Sequence, residues 1–145
     1  MKTMKLTDRV TVAPQIAAAD FAALAAAGVR TVINNRPDGE ELGQLSSAEA
    51  ARLAAAAGLA YRHIPVTAAT LSDEAVSAFR QEVAAASGTV LAYCRSGTRS
   101  ATLWALGEIL AGGLSCDAAL AIGRANGLDL AGGLAWLDRR GQAAR

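Results

Sequence analysis

Cysteine and histidine are scarce in this chain of 145 residues, which has two of the first (Cys94 and Cys116) and one of the second (His63). That supply excludes a disulfide framework and a multi-ligand zinc site, and no metal or organic cofactor is expected. Aromatic residues make up 4% of the chain, too few for a platform on which bases could stack. Neither sign of charge dominates, with 14 basic against 13 acidic residues, so the basic stripe of a nucleic-acid binder is missing. Long apolar runs are missing too. The alanine-rich stretch from Ala17 to Ala27 is too short for a bilayer and contains Asp20. The opening residues MKTMKLTDRV lack the apolar core of a secretion signal. These absences predict a cytoplasmic protein without nucleic-acid or membrane partners, in a compartment that keeps Cys94 a free thiol. The length predicts one domain over residues 1–145 with a substantial core.

What is present is an alternation of two apolar periods. Gly28, Gly58 and Gly88 each follow an alanine-rich helical stretch and precede a strand-like run. The runs are 29–34, 59–66 and 89–93. Glycine just past a helix end supplies a left-handed conformation, so all three are expected to serve as helix stops. Ser46 with Glu49, Ser72 with Asp73 and Glu74, and Ser115 read as helix starts. Leu71 and Val76 suit a hydrophobic staple at the second of these. The tail from Leu128 to Leu137 predicts one short helix docked by Leu134 and Trp136. A further strand is expected around Val10–Val12, and Pro65 suits a strand end. Alternating helices and strands imply an α/β fold with a central, mostly parallel sheet covered by helices.

The densest chemistry lies in Cys94-Arg95-Ser96-Gly97-Thr98-Arg99-Ser100, between the run 89–93 and an apolar helical segment. A strand, a short loop and a helix start aim backbone N–H groups and a helix dipole at one spot. That field favours an anion and also stabilises a thiolate, so Cys94 is the expected nucleophile. Arg99 is placed to fold back as a bidentate oxyanion clamp. Gly97 permits close backbone approach, and Ser100 can donate a hydrogen bond to the Cys94 sulfur. Ser96 and Thr98 complete a substrate-binding loop. Arg95 is either a substrate contact or a solvated charge. The pattern predicts covalent catalysis on a small anionic substrate, phosphoryl or sulfur-based.

The segment Asn34-Asn35-Arg36-Pro37-Asp38-Gly39-Glu40-Glu41 ends the first run. In an open α/β sheet, ligands bind beyond the carboxyl ends of the strands. If this strand neighbours the one before Cys94, Arg36, Asp38 and Glu40 lie beside the cysteine loop. Asp38 and Glu40 are then candidates for general acid, or parts of an ordinary polar turn. Arg36 is a second anion contact or an ion-pair partner. His63 is expected to be held by a structural hydrogen bond, and Cys116 to be a small helix-start residue without chemistry.

The segments VAPQIAAADFAALAAAGVRTVINNRPDGEE, AGLAYRHIPV and VLAYCRSGTRSATLWAL, in this order, resemble the beta-lactamase-hydrolase-like, phosphatase-like family of the cysteine-dependent phosphatase superfamily. The resemblance implies a fold similar to dual-specificity phosphatases. It carries the nucleophile onto Cys94, the oxyanion clamp onto Arg99 and an assisting hydroxyl onto Ser100. The chain departs from the superfamily pattern at several points. Tyr93 stands where histidine is usual, and four residues instead of five separate Cys94 from Arg99. No aspartate follows closely on YRHIPV, where dual-specificity enzymes commonly carry their general acid. Asp38 or Glu40 would have to substitute, or the leaving group would need no protonation. The loop CRSGTRS also resembles the active loop of single-domain rhodaneses, which implies a Cys94 persulfide and sulfur transfer as the alternative. An oxyanion-binding module without turnover is the third reading.

Overall fold

Residues 1–143 are described in the computed structural model. In chain order the elements are β1 (Met4–Lys5), β2 (Val10–Ala13), α1 (Asp20–Ala26), β3 (Val29–Asn34), α2 (Ser47–Ala56), β4 (Ala60–His63), α3 (Asp73–Ala85), β5 (Thr89–Tyr93), α4 (Thr98–Leu110), α5 (Cys116–Ala125), α6 (Ala131–Leu134) and α7 (Trp136–Ala143). The strands form one sheet in the order β1-β2-β5-β3-β4. β1 is antiparallel to β2, and every other pairing is parallel. This is the expected α/β class.

The period-2 alternation of β5 divides the core. Val90 and Ala92 face a layer made with α3, α4 and Leu130 and Leu134 of the tail, whereas Leu91 and Tyr93 face a layer made with α1 and α2. β5 is therefore covered on both sides, which is why its run is continuously apolar. α4 is buried along Ser100–Gly107, so it lies within the fold instead of presenting one apolar stripe. Among the described residues, no helix is long and apolar enough to cross a membrane.

Ser46, Ser72 and Ser115 each accept a hydrogen bond from the amide three residues on, capping α2, α3 and α5. Gly28 and Gly58 have left-handed backbone angles, as expected of helix stops. Gly88 does not. A Cβ there would lie 2.8 Å from Arg30 Cγ, so this position needs a missing side chain and not a special φ. The strand expected over 59–66 is regular only to His63. Ile64 and Val66 still donate to Asn34 and Asn35, but Pro65 has no N–H and the ladder ends around it. The tail helix expected over 128–137 is two elements, α6 and α7, divided at Ala135. β1 had no signal in the sequence, being two residues long.

Candidate active site

β5 lies between β2 and β3, so its carboxyl end opens into a crevice bounded by the loops after both neighbours. Backbone hydrogen bonds extend the pairing past the strand end. The Cys94 amide donates to Ala13 O, the Asn35 amide to Tyr93 O and the Gln15 amide to Arg95 O. Cys94, the segment 34–41 and the segment after β2 are thereby fixed at one edge, as the parallel pairing of β3 and β5 requires.

Within the cysteine loop, the Gly97 amide donates to Cys94 Sγ at 3.1 Å. Gly97 has φ 95°, and a Cβ there would lie 2.8 Å from Met4 Cε. Both the turn and the close approach require glycine. Gly97 is also the N-cap of α4, and no side chain caps this helix. The Thr98 amide donates to Ser96 Oγ at 3.5 Å, which leaves the Arg99 and Ser100 amides toward the loop. An uncapped helix N-terminus beside a thiol is a site for negative charge. Ser96 Oγ donates to Thr98 Oγ1 at 3.1 Å, so both hydroxyls brace the loop. Cys94 is 0% exposed, and an incoming group must displace protein atoms to reach the sulfur.

Arg99 is held from one side. Its Nη1 donates to Glu40 Oε2 and Val66 O, both at 2.9 Å, and its Nη2 donates to Glu40 Oε1 at 2.8 Å. Those bonds use the end of the guanidinium. The Nε–H and the second Nη2 hydrogen, which form the side edge, remain. The Arg99 pKa is raised, first by the hydrogen bond to Glu40. Glu40 thus occupies the end fork of Arg99, and the side edge is the part left for a ligand.

Glu40 also accepts from Arg36 Nε at 2.9 Å. The two guanidinium groups outweigh the cost of its burial and hold its carboxyl at about 2, with the Arg99 hydrogen bond the largest cause. Such a carboxylate stays ionised at neutral pH and has no proton to give. Asp38 accepts from the Ser47 amide at 2.8 Å, at the start of α2. Its carboxylate thereby braces that helix, a contact that fits the reading of Asp38 as part of a polar turn. Glu41 pairs with Arg95 at 3.1 Å, which places Arg95 on the exposed rim.

Arg36 is 1% exposed. Its Nη1 donates to Gln15 Oε1 at 3.0 Å, and its Nη2 lies 3.5 Å from Glu41 Oε2. The reading of Arg36 as an ion-pair partner is the one its surroundings support. Ser100 Oγ donates its one hydrogen to Asn35 Oδ1 at 2.8 Å and so has none for the Cys94 sulfur. This corrects the expected Ser100–Cys94 bond. Asn35, whose Nδ2 donates to Ile64 O, ties α4 to the ends of β3 and β4. The sequence reading missed this residue; the signal for it was a pair of amides directly after an apolar strand. His63 Nε2 bonds to Arg36 O at 2.9 Å, a structural role as expected. Tyr93 is buried, its hydroxyl has no partner among the described residues, and burial pushes its pKa well above the ordinary phenol range. Cys116 is exposed at the start of α5.

Comparison with known proteins places this geometry. Residues 2–111 match the family described as beta-lactamase hydrolase-like protein, phosphatase-like domain. The beta-lactamase hydrolase-like protein of Agrobacterium fabrum is 41% identical over 143 residues, covering 99% of this chain and 33% of its own. That of Xylella fastidiosa (strain Temecula1) is 36% identical over 140 residues, covering 97% of this chain and 32% of its own. The chain thus spans about a third of the length of the curated relatives it matches. Among solved structures, nma1982 of Neisseria meningitidis z2491, a candidate phosphatase, aligns with TM-score 0.79 and 36% identity over 88% of this chain and 90% of that one. P. aeruginosa TpbA, solved in complex with pTyr, aligns with TM-score 0.64 and 22% identity over 83% of this chain and 70% of that one, a likeness of fold. The chain belongs to the phosphatase-like domain family of the beta-lactamase hydrolase-like proteins and has the fold of the cysteine-based phosphatases.

Proposed function

We propose that this domain is a cysteine-dependent phosphatase for small phosphate esters with acidic leaving groups. The observation that carries the reading is a convergence. The Cys94 sulfur and the uncapped start of α4 meet at the end of β5, and Arg99, in the first turn of that helix, has its end fork taken by Glu40 and its side edge left for a ligand. In the first step the Cys94 thiolate attacks phosphorus, and the ester oxygen leaves with the bonding electrons. The loop amides and Arg99 stabilise the equatorial oxygens. In the second step water attacks the phosphocysteine, the electron pair returns to sulfur and dihydrogen phosphate leaves. Ser100 acts through Asn35, as a brace between α4 and the strand ends.

The restriction on leaving group follows from the missing proton donor. Glu40 is held ionised at about 2, and Asp38 is committed to Ser47. The test is turnover of aryl phosphates whose phenols span a range of pKa values. A steep fall in kcat/KM with rising phenol pKa is expected, with no turnover by Cys94→Ser. A flat dependence would mean that a general acid operates and would refute the restriction.

A second reading is favoured by the loop's length. Four residues between Cys94 and Arg99 make a tighter cradle than the superfamily's five. In that reading the Cys94 thiolate attacks the outer sulfur of thiosulfate, sulfite leaves with the electron pair, and a Cys94 persulfide remains. No proton donor is needed for that step.

A further inference from the structure

Besides Glu40, the Arg99 guanidinium has a backbone acceptor, Val66 O, at 2.9 Å. Its backbone is fixed through the next residue, Ser100, whose Oγ donates to Asn35 Oδ1 at 2.8 Å. Both supports trace back to Asn35, which is fully buried and has a partner for each of its polar atoms. Its amide N–H donates at 2.8 Å to Tyr93 O, one residue before Cys94. Its carbonyl accepts from the Val66 amide at 3.1 Å, and its Nδ2 donates to Ile64 O at 2.9 Å. The Nδ2 bond stands in for a missing one. A parallel ladder continued past the Asn34–His63 pair would bring the Arg36 amide to Ile64 O. The Arg36 amide turns back to Asn34 Oδ1 at 2.9 Å instead, which takes the chain out of the sheet toward Glu40. Pro65, between Ile64 and Val66, has no N–H with which to hold the segment. The Asn35 side chain therefore helps to tie Ile64, and with it the Val66 carbonyl, to the end of β3.

We propose that Asn35 is the positioning residue of the Arg99 clamp. One arm runs through Ser100 to the start of α4. The other runs through Ile64 and Val66 to the far end of the Arg99 side chain. Together they fix the side edge of Arg99 relative to the strand that delivers Cys94. The arms ask opposite things of one side chain, an acceptor for Ser100 and a donor for Ile64. A carboxamide supplies both. Aspartate keeps the acceptor and sets a carboxylate against a carbonyl oxygen, and alanine supplies neither. The nucleophile is held separately, the Cys94 sulfur by the Gly97 amide and the Cys94 amide by Ala13 O. Loss of the Asn35 side chain is therefore expected to spoil the aim of the clamp and to leave the nucleophile in place. That the clamp holds an oxyanion rests on the phosphatase reading; the aim of Arg99 does not.

The test follows the Arg99 Nε–H resonance of the 15N-labelled protein, assigned with Arg99→Lys, in Asn35→Asp, Asn35→Ala and Ser100→Ala. Two further readouts are taken on each variant. One is the affinity for inorganic tungstate. The other is the rate at which iodoacetamide, a neutral reagent that asks nothing of the clamp, alkylates the Cys94 peptide. The wild-type resonance is expected to be sharp and to shift when tungstate binds. In each variant it should move or broaden, and tungstate affinity should fall by about two- to tenfold for each hydrogen bond lost. The alkylation rate should stay at the wild-type value. Folded variants with an unchanged Arg99 resonance and unchanged tungstate affinity would overturn the proposal. So would tungstate affinity and alkylation falling together, the mark of a loosened site and not of a lost aim. Should the Asn35 variants fail to fold, Ser100→Ala, which breaks only the α4 arm, decides by the same readouts. A wild-type protein that binds no tungstate would sink the phosphatase reading alone, and the Arg99 resonance would still decide the role of Asn35.

Discussion

Replacing Glu40 by glutamine removes one charge and one acceptor oxygen from a carboxylate shared by Arg36 and Arg99. The magnitude follows from the ionisation of Glu40, held at about 2 instead of its ordinary 4.5. At 1.36 kcal/mol for each tenfold change, that displacement sets a ceiling of about 3 kcal/mol on the electrostatic contribution. The Glu40 side chain is still 24% exposed, and solvent screening brings the expected contribution to about 1–2 kcal/mol. The folded-state value is the lower one, so the contribution is present above pH 4.5 and is lost as pH falls toward 2. Urea unfolding of Glu40→Gln at pH 7 should therefore show a loss of about 1–2 kcal/mol. Between pH 4.5 and about 2 the gap between wild type and variant should close. The same variant frees the end fork of Arg99, so kcat/KM should fall, and Glu40→Asp should recover part of it. A stability gap that is absent at neutral pH, or that does not narrow with acid, would refute the assignment of Glu40 as an ionised clamp.

Two further outcomes follow from the loop. Gly97→Ala places a Cβ 2.8 Å from Met4 Cε at φ 95°, and should cost at least about 1–2 kcal/mol in chemical unfolding. Stability equal to wild type would mean that the turn is built differently. Ser100→Ala strands the Asn35 Oδ1 acceptor and should cost about 1–3 kcal/mol, with the pH profile of turnover keeping its shape. A shifted pH profile with unchanged stability would restore Ser100 to direct contact with the sulfur.

The fold was legible because both periods of the apolar pattern are clean. Serine caps mark three helix starts, and Gly28 and Gly58 mark two stops. Gly88 shows the limit of that logic. Its use depends on Arg30 from a neighbouring strand, which no local pattern reveals. The site was legible as a meeting of two strand ends, since parallel neighbours must bring Arg36 and Glu40 to the cysteine loop. How the charges pair there was not legible. A carboxylate between two arginines reads in sequence as a spare acid, and only its three-dimensional partners make it a permanent anion. Ser100 follows the same rule. Its place after Arg99 suggests the sulfur, yet the hydroxyl turns to Asn35, which comes 65 residues earlier.

The most direct test of the account is the intact mass of the protein, quenched early in turnover with an aryl phosphate and again after exposure to thiosulfate. The account predicts a phosphoryl adduct on Cys94 during turnover, no such adduct in Cys94→Ser, and release of phosphate that depends on Cys94. Phosphate release that survives Cys94→Ser, or gain of a single sulfur atom on Cys94 with no phosphoryl adduct, would contradict it.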